Sequence, residues 1–230
     1  MDLLPSQLKK GVAAHECSLA NTPETLEQVY RLRHACYLGK GSIDPTPTGT
    51  FSDEFDLLPN SHSFLVRSAD GQALATVRIT VVRPQIGWTD SPGRHVFGDH
   101  PEFQRMAAGG YVEASRLCFG EQARRDAFMG LLGNMAALSD LYETEWLLAC
   151  PRVEHAPFYT RQFGFRQMAP ARKYFGVRFD TQLLGVRRTE LRENVGSVKP
   201  MIQAWVQALA ELTSSGICPG VECVSLRTCC

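Results

Sequence analysis

The sequence predicts an α/β (α+β) fold in which a mixed sheet is covered by helices, and three observations carry that prediction. The segments SFLVRSA and ALATVRITVV are strand-like and flank Asp70-Gly71-Gln72, a strong hairpin signal. Apolar residues recur at helical spacing after Thr22 and again from Arg125 to Tyr142. The order of elements, with a hairpin and also helices between strands, is that of one sheet with helical crossovers.

Taken in order, a first strand is expected around Val12 to Leu19. Thr22-Pro23-Glu24 then supplies an N-cap, a first-turn proline and a first-turn acid, so a helix starts there. Its apolar stripe is Leu26, Val29, Tyr30, Cys36 and Tyr37, and Arg33 falls on the same stripe. Residues 39–61 are rich in Gly, Pro, Ser, Thr and Asp and too long for an ordinary connection. Long loops of this kind often carry function. In the second hairpin strand Ala75, Val77, Ile79 and Val81 share one face, and Thr76, Arg78 and Thr80 share the other.

Residues 83–110 read as a second irregular stretch, and YVEASRLCF as a strand with charge in its middle. EWLLAC is a short buried strand, Ala156 to Gln162 a short helix ended by Gly164, and two strands follow near Arg166 to Phe175 and Thr181 to Arg188. A final helix over about 197–213 places Met201, Trp205, Leu209 and Leu212 on one stripe and is expected to cap the sheet. With no repeat and no linker, 1–230 reads as one domain with a core over about 12–188 and a helical extension over about 192–230.

At 230 residues, 44% hydrophobic and 21% charged, the chain is long enough for one sizeable core and too balanced for disorder. Basic and acidic side chains number 24 each, which argues against a nucleic-acid-binding surface. Between Arg152 and Arg192, nine Arg or Lys residues stand against Glu154, Asp180 and Glu190. Such a stretch suits an anionic phosphate, an acidic carrier protein, or simply a solvated face. The eight cysteines lack metal-ligand spacing and read as reduced thiols, so no metal site is expected. MDLLPSQLKK has no apolar signal stretch, and a cytoplasmic location is expected. The pair Cys229-Cys230 is too little for a lipidation signal.

Strand and helix interiors disfavour unpaired charge, because a buried lone ion costs several kcal/mol by order of magnitude. Arg33, Arg78, Glu113 and Arg116 break that rule, and Asp53-Glu54-Phe55-Asp56 in the long loop offers partners. Three arginines with three or more carboxylates make a buried network; each residue taken alone also fits an edge-strand or surface position. Alternation puts Glu113 and Ser115 on one strand face and Arg116 on the other, unless a bulge re-aims one of them. A carboxylate such as Glu113 in a polar pocket suits a base that takes a proton from an ammonium nucleophile, directly or through water.

The block HAPFYTRQFGF resembles the late helix of GNAT-fold acyltransferases, where a tyrosine shortly before Gly-Phe faces the thioester sulfur. Tyr159, with Gly164-Phe165, holds that place; the other reading of this residue is a core aromatic on an amphipathic helix. Arg33 followed by Tyr37, then Asp53-x-x-Asp56, Arg78 and Glu113-x-Ser115-Arg116, resemble in order the charged positions shared by acyl-homoserine-lactone synthases and long-chain N-acyl amino acid synthases. The resemblance spans about residues 24–188. It implies a GNAT-like central sheet of about seven strands, no tightly bound cofactor, and an acyl donor that is a phosphopantetheine thioester on acyl carrier protein or acyl-CoA, with an amino acid as acceptor.

The same resemblance implies that Glu113 serves the acceptor amine and that Tyr159 protonates the leaving thiolate. Leu117, Cys118 and Phe119 would line the pantetheine, and Arg33, Asp53, Asp56, Arg78, Ser115 and Arg116 would hold the site and the acceptor. Arg124 and Arg125 are candidates to grip a phosphate, although GEQARRDAFMG matches a phosphate-cradling loop poorly. The stretch YLGKGSIDPT also lacks the tryptophan that lactone synthases carry after the first-helix arginine. Both departures favour a carrier-protein donor and an N-acyl amino acid product over acetyl-CoA and a lactone. Attack of an amine on a thioester forms an oxyanion, for which a strand N–H near Leu117 or Cys118 is the expected donor, and no cysteine nucleophile is required. The alternatives are a lactone synthase, an acetyl-CoA-dependent N-acetyltransferase and a non-catalytic acyl-carrier-binding module.

Overall fold

The computed structural model describes residues 16–123, 125–195 and 199–214. Strand β1 (Glu16–Ala20) forms one edge of the sheet, and α1 (Pro23–Gly39) follows it. As the sequence suggests, Thr22 caps α1 in a reciprocal capping box with Thr25, and Pro23 enters the first turn. The hairpin is β2 (Ser61–Arg67) and β3 (Ala73–Val82), with Gly71 at φ 84° in the turn. Next comes β4 (Tyr111–Phe119), after two helices described below.

The stretch 83–110, expected to be irregular, contains α2 (Pro92–Phe97) and α3 (Pro101–Ala108). Their starts carry a local signal: Ser91 and His100 cap the helices, and a proline follows each cap. Beyond β4 the chain forms α4 (Arg125–Leu141), β5 (Trp146–Ala149) and α5 (Ala156–Phe163), which ends at Gly164 with φ 73°. The two late strands are four short ones instead: β6 (Arg166–Gln167), β7 (Arg172–Lys173), β8 (Asp180–Thr181) and β9 (Leu184–Arg187). Helices α6 (Arg188–Val195) and α7 (Lys199–Ser214) complete the described chain.

The sheet order is β1-β2-β3-β4-β5-β9-β6, with β7 and β8 forming a separate pair. All neighbours are antiparallel except β4 and β5, which run parallel and are joined through α4. The sheet is thus mixed and seven-stranded, as the resemblance implies. Its two faces are chemically unlike. Phe64, Val66, Ala75, Val77, Ile79, Val81, Val112 and Leu147 pack with Leu131, Met135 and Leu138 of α4 in the main core. The other face presents Ser63, Arg78, Thr80, Glu113 and Ser115, all buried, toward α1, α2 and the long loop.

Of the expected first strand, β1 covers Glu16–Ala20, and its earlier residues from Val12 lie outside the described ones. Helix α7 packs mainly on α4 and adds Ala208 and Leu212 to the main core. Gly133 of α4 makes that approach possible: a Cβ there would lie 2.8 Å from a backbone atom of Ala204. Ala208 and Leu212 bury the inner face of α7, whereas the side chains of Met201 and Trp205, and residues 215–230 with Cys229 and Cys230, lie outside the described part. No helix among the described residues is long and apolar enough to cross a membrane.

Candidate active site

The long loop after α1 is held down along its length rather than left free. Phe51 N–H donates to Tyr30 O at 3.0 Å, Arg178 N–H to Ser42 O at 2.9 Å, and Arg152 Nη2 to Ser42 Oγ at 2.6 Å. A 3-10 turn over Glu54–Leu57 follows Asp53, whose side chain caps it, while Asp56 Oδ2 accepts from Asp53 N–H at 3.0 Å. The Asp-x-x-Asp spacing is therefore a capping box that turns both carboxylates toward the sheet. Glu54, between them, is exposed and joins no buried pair.

Three arginines meet these two carboxylates. Arg33 Nη1 lies 2.7 Å from Asp56 Oδ1, and its Nη2 donates to Ser63 Oγ at 2.9 Å. Arg78 contacts Asp53 with both terminal nitrogens, reaches Asp56 Oδ1 at 3.2 Å, and donates from Nε to Ser115 Oγ at 3.1 Å. Arg116 donates to Asp53 Oδ2 from Nε at 3.0 Å and from Nη2 at 2.7 Å. Burial alone would raise the Asp53 carboxyl, yet Arg78 and Arg116 hold it below its usual value. The side chains of Arg33 and Arg78 are fully buried, which explains why arginine occupies an apolar helix stripe and a strand interior.

Strict alternation would turn Arg116 away from this cluster, and the structure corrects that expectation by a bulge. Between the pairs Arg78–Ser115 and Thr76–Cys118, β4 has one residue more than β3. Arg116 takes φ 54°, an uncommon conformation for a non-glycine residue. The guanidinium then sits among four rings, with centroids at 4.6 Å (Phe51), 5.5 Å (Tyr174), 5.7 Å (Phe175) and 5.9 Å (Tyr37).

Glu113 lies on the same sheet face but forms no ion pair among the described residues. Both of its oxygens accept from Gly93 N–H, each at 2.9 Å, in the first turn of α2. Burial pushes its carboxyl up to about 7, while hydrogen bonds from Ser91 and Gly93 and the charges of Arg78 and His95 pull it down. Tyr111 Oη and Ser91 Oγ, 2.7 Å apart, close the neighbourhood. Residues 90–93 were not singled out in the sequence, although Ser91-Pro92 is a helix-start signal.

The parallel pairing of β4 and β5 ends at Ala114–Ala149, and Cys150-Pro151 follows in the chain. Past that point β4 keeps β3 as a neighbour but loses β5, and a cleft opens. It holds a cavity of about 930 Å³. Ser115, Arg116, Leu117, Cys118 and Phe119 form one wall, and Tyr159 with its α5 neighbours forms another. Phe128 packs against Phe119, Phe158 and Phe163 at 5.9, 5.3 and 5.8 Å, which makes part of the lining aromatic. Lys40, Arg152 and Arg161 also line the cavity, together with Glu154, which pairs with Arg152 at 3.3 Å, so the lining is positive on balance.

Burial, and next the charge of Tyr37, hold the Tyr159 phenol well above its ordinary value. The structure thus brings Ser115, Arg116, Leu117, Cys118, Phe119 and Tyr159 to the cavity, and Arg33, Asp53, Asp56 and Arg78 to the network beside it. Glu113 is one layer behind the wall. Arg124 and the side chain of Arg125 lie outside the described residues. The thiols of Cys17, Cys36, Cys118 and Cys150 are free. No cross-link therefore holds these four elements together.

A family profile described as N-acyl amino acid synthase FeeM matches residues 28–187. The chain belongs to the FeeM family of N-acyl amino acid synthases. Both networked helix and strand arginines, the acidic loop, β4 with its bulge and α5 fall inside that match. No curated protein sequence matches the chain.

Among solved structures, FeeM itself, from uncultured soil microbes, is similar with a TM-score of 0.65 at 15% identity, covering 79% of this chain and 94% of that one. The acyl-homoserine-lactone synthase LasI aligns with a TM-score of 0.59 at 13% identity over 79% of this chain and 94% of its own. BjaI, described as a CoA-dependent acyl-homoserine-lactone synthase, aligns with a TM-score of 0.56 at 16% identity over 85% and 99%. At such identities these likenesses establish the shared acyltransferase fold. As a member of the FeeM family with this fold, the chain is an acyltransferase.

Proposed function

We propose that the chain transfers a medium- or long-chain acyl group from the phosphopantetheine thioester of acyl carrier protein to the amine of an amino acid, releasing an N-acyl amino acid and a free thiol. One observation carries this reading: a cavity joins an aromatic lining and several cations to Arg116, a member of the buried Arg–Asp network. Its volume far exceeds what an acetyl group needs, and the cations of Lys40, Arg152 and Arg161 suit an anionic donor arm.

In this scheme Glu113 accepts a proton from the ammonium of the acceptor, directly or through water. Its elevated carboxyl favours proton exchange near neutrality. The free amine attacks the thioester carbon, and backbone N–H groups near Leu117 or Cys118 stabilise the oxyanion. As the tetrahedral intermediate collapses, the carbon–sulfur bond breaks, Tyr159 gives its proton to the leaving thiolate, and the proton lost from the acylated nitrogen restores the phenol through water. Leu117 to Phe119 line the pantetheine, while Arg33, Asp53, Asp56, Arg78 and Arg116 hold the acceptor end in place. Arg124 and Arg125 would meet a donor phosphate.

Steady-state rates with one acyl chain presented on carrier protein, on coenzyme A, or replaced by acetyl-CoA test the donor. The expected result is a kcat/KM for the carrier-protein thioester at least tenfold above that for acyl-CoA, with little acetyl transfer. Equal use of acetyl-CoA would overturn the long-chain donor, and acylation of S-adenosylmethionine in preference to amino acids would replace the product by a lactone precursor.

A further inference from the structure

Next to the cavity-lining Arg116 stands a buried tyrosine whose hydroxyl has no partner among the described residues. Tyr174 is 4% exposed, its ring stacks on Phe175 at 4.5 Å, and its Oη makes no hydrogen bond. An unsatisfied buried hydroxyl is disfavoured, and phenylalanine at the same place would avoid the penalty. A hydroxyl in such a setting is available to donate to a ligand.

Its surroundings specify the ligand's chemistry. The Arg116 guanidinium lies 5.5 Å from the centroid of the Tyr174 ring. The charged and titratable groups that act on the phenol are Glu113, Cys150, Arg116 and Arg78. Arg116 and Cys150, two of these groups, also line the cavity. Three guanidiniums, of Arg33, Arg78 and Arg116, face only two paired carboxylates, those of Asp53 and Asp56. Glu113 is bound to Gly93 N–H instead of to an arginine. Within the ion-paired set guanidiniums outnumber carboxylates, and beside Arg116 stands a hydrogen-bond donor without an acceptor among the described residues. That combination attracts a small oxyanion and repels an ammonium.

We propose that Tyr174 Oη and the Arg116 guanidinium together bind the α-carboxylate of the acceptor amino acid. The proposal rests on the amino-acid acceptor argued above and adds a recognition residue that the charged motif does not contain. With the carboxylate fixed there, the acceptor's amine is directed to the neighbouring carboxylate of Glu113 on the same sheet face. The site thereby selects amino acids over amines and over amino-acid amides.

The test compares an amino acid that serves as acceptor with its own carboxamide, in wild type and Tyr174→Phe. In the variant, kcat/KM for the amino acid should fall about tenfold to hundredfold, mainly through KM, as expected for a lost hydrogen bond to a charged group. The carboxamide rate should stay the same, so the preference for the acid collapses. An equal loss with both acceptors, or an unchanged preference, would overturn the proposal while leaving N-acylation intact. A binding arm needs no turnover: the free amino acid should raise the melting temperature of wild type more than that of Tyr174→Phe, and an equal rise contradicts the assignment. Folding of the variant is not at issue, because removing an unpaired hydroxyl should leave the unliganded protein at least as stable. Failure of wild type to acylate any amino acid, by contrast, would sink the proposed function itself.

Discussion

Arg116 reaches Asp53 because its own backbone is left-handed: at φ 54° the bulged residue turns its side chain onto the face of Ser115, and Nη2 comes to 2.7 Å from Asp53 Oδ2. A non-glycine residue in that conformation is disfavoured by about 1–2 kcal/mol. The ion pair and the four surrounding rings offset this. The same extra residue separates β4 from a regular ladder where the cleft to β5 opens. One irregularity thus serves both the network and the cavity.

Asp53 is the shared partner of two buried guanidiniums, so Asp53→Ala leaves both undercompensated. Loss of one partner from a buried pair typically destabilises by about 3–5 kcal/mol. Urea denaturation should report a change of that order. The exposed pair Arg31–Glu27 supplies the comparison, since Arg31→Ala should change stability by less than about 1 kcal/mol. Similar effects of the two substitutions would contradict the network's role.

Glu113 predicts opposite pH trends for stability and for rate. Its folded value of about 7 lies above the ordinary 4.5, so between those limits the folded protein holds a proton that the unfolded chain has lost. Stability contributed by this group is then present below about pH 4.5 and declines as pH rises towards about 7. In Glu113→Gln that decline is absent, and the stability difference should move in the variant's favour by up to about 3 kcal/mol across the window. As a base, Glu113 must be deprotonated, so kcat/KM should rise about tenfold per pH unit below about 7 and level off above it. A stability difference independent of pH would refute the elevated carboxyl.

Gly93 is constrained by contact rather than by its dihedral angle. A Cβ there would lie 2.7 Å from Glu113 Oε2. Gly93→Ala should displace the carboxylate, lowering kcat/KM at least tenfold and stability by about 1–3 kcal/mol from overpacking. Circular dichroism separates this from unfolding, and full activity in Gly93→Ala would show that the position of Glu113 does not matter.

Tyr159 faces the cavity from α5. If its phenol protonates the leaving thiolate, Tyr159→Phe keeps the ring and removes the proton, so kcat should fall about a hundredfold with the donor's KM unchanged. An unchanged kcat would leave Tyr159 as cavity wall alone.

Much of this was legible in the sequence, and the exceptions have physical causes. Helix α1, the hairpin and β4 follow local rules that do not depend on the rest of the chain: a Thr-Pro cap, an Asp-Gly turn and runs of strand-forming residues. Arg33 and Arg78 stood out because charge interrupts apolar patterns. Helices α2 and α3, of six and eight residues, are too short for periodicity to reveal, and only their Ser-Pro and His-Pro starts mark them. The two late strands broke into four because their pairing depends on partners distant in sequence. The bulge at Arg116 has no local signature, since no glycine marks it. Tyr174 was invisible for a related reason: an unpaired hydroxyl is a property of surroundings, not of sequence.

Product analysis by mass spectrometry tests the central claim most directly, using wild type and Glu113→Gln with carrier proteins bearing medium and long acyl chains and pooled amino acids. The account predicts N-acyl amino acids from wild type that disappear in Glu113→Gln while the variant remains folded. Absence of acyl transfer to any amino acid by wild type, or undiminished product from the variant, would contradict it.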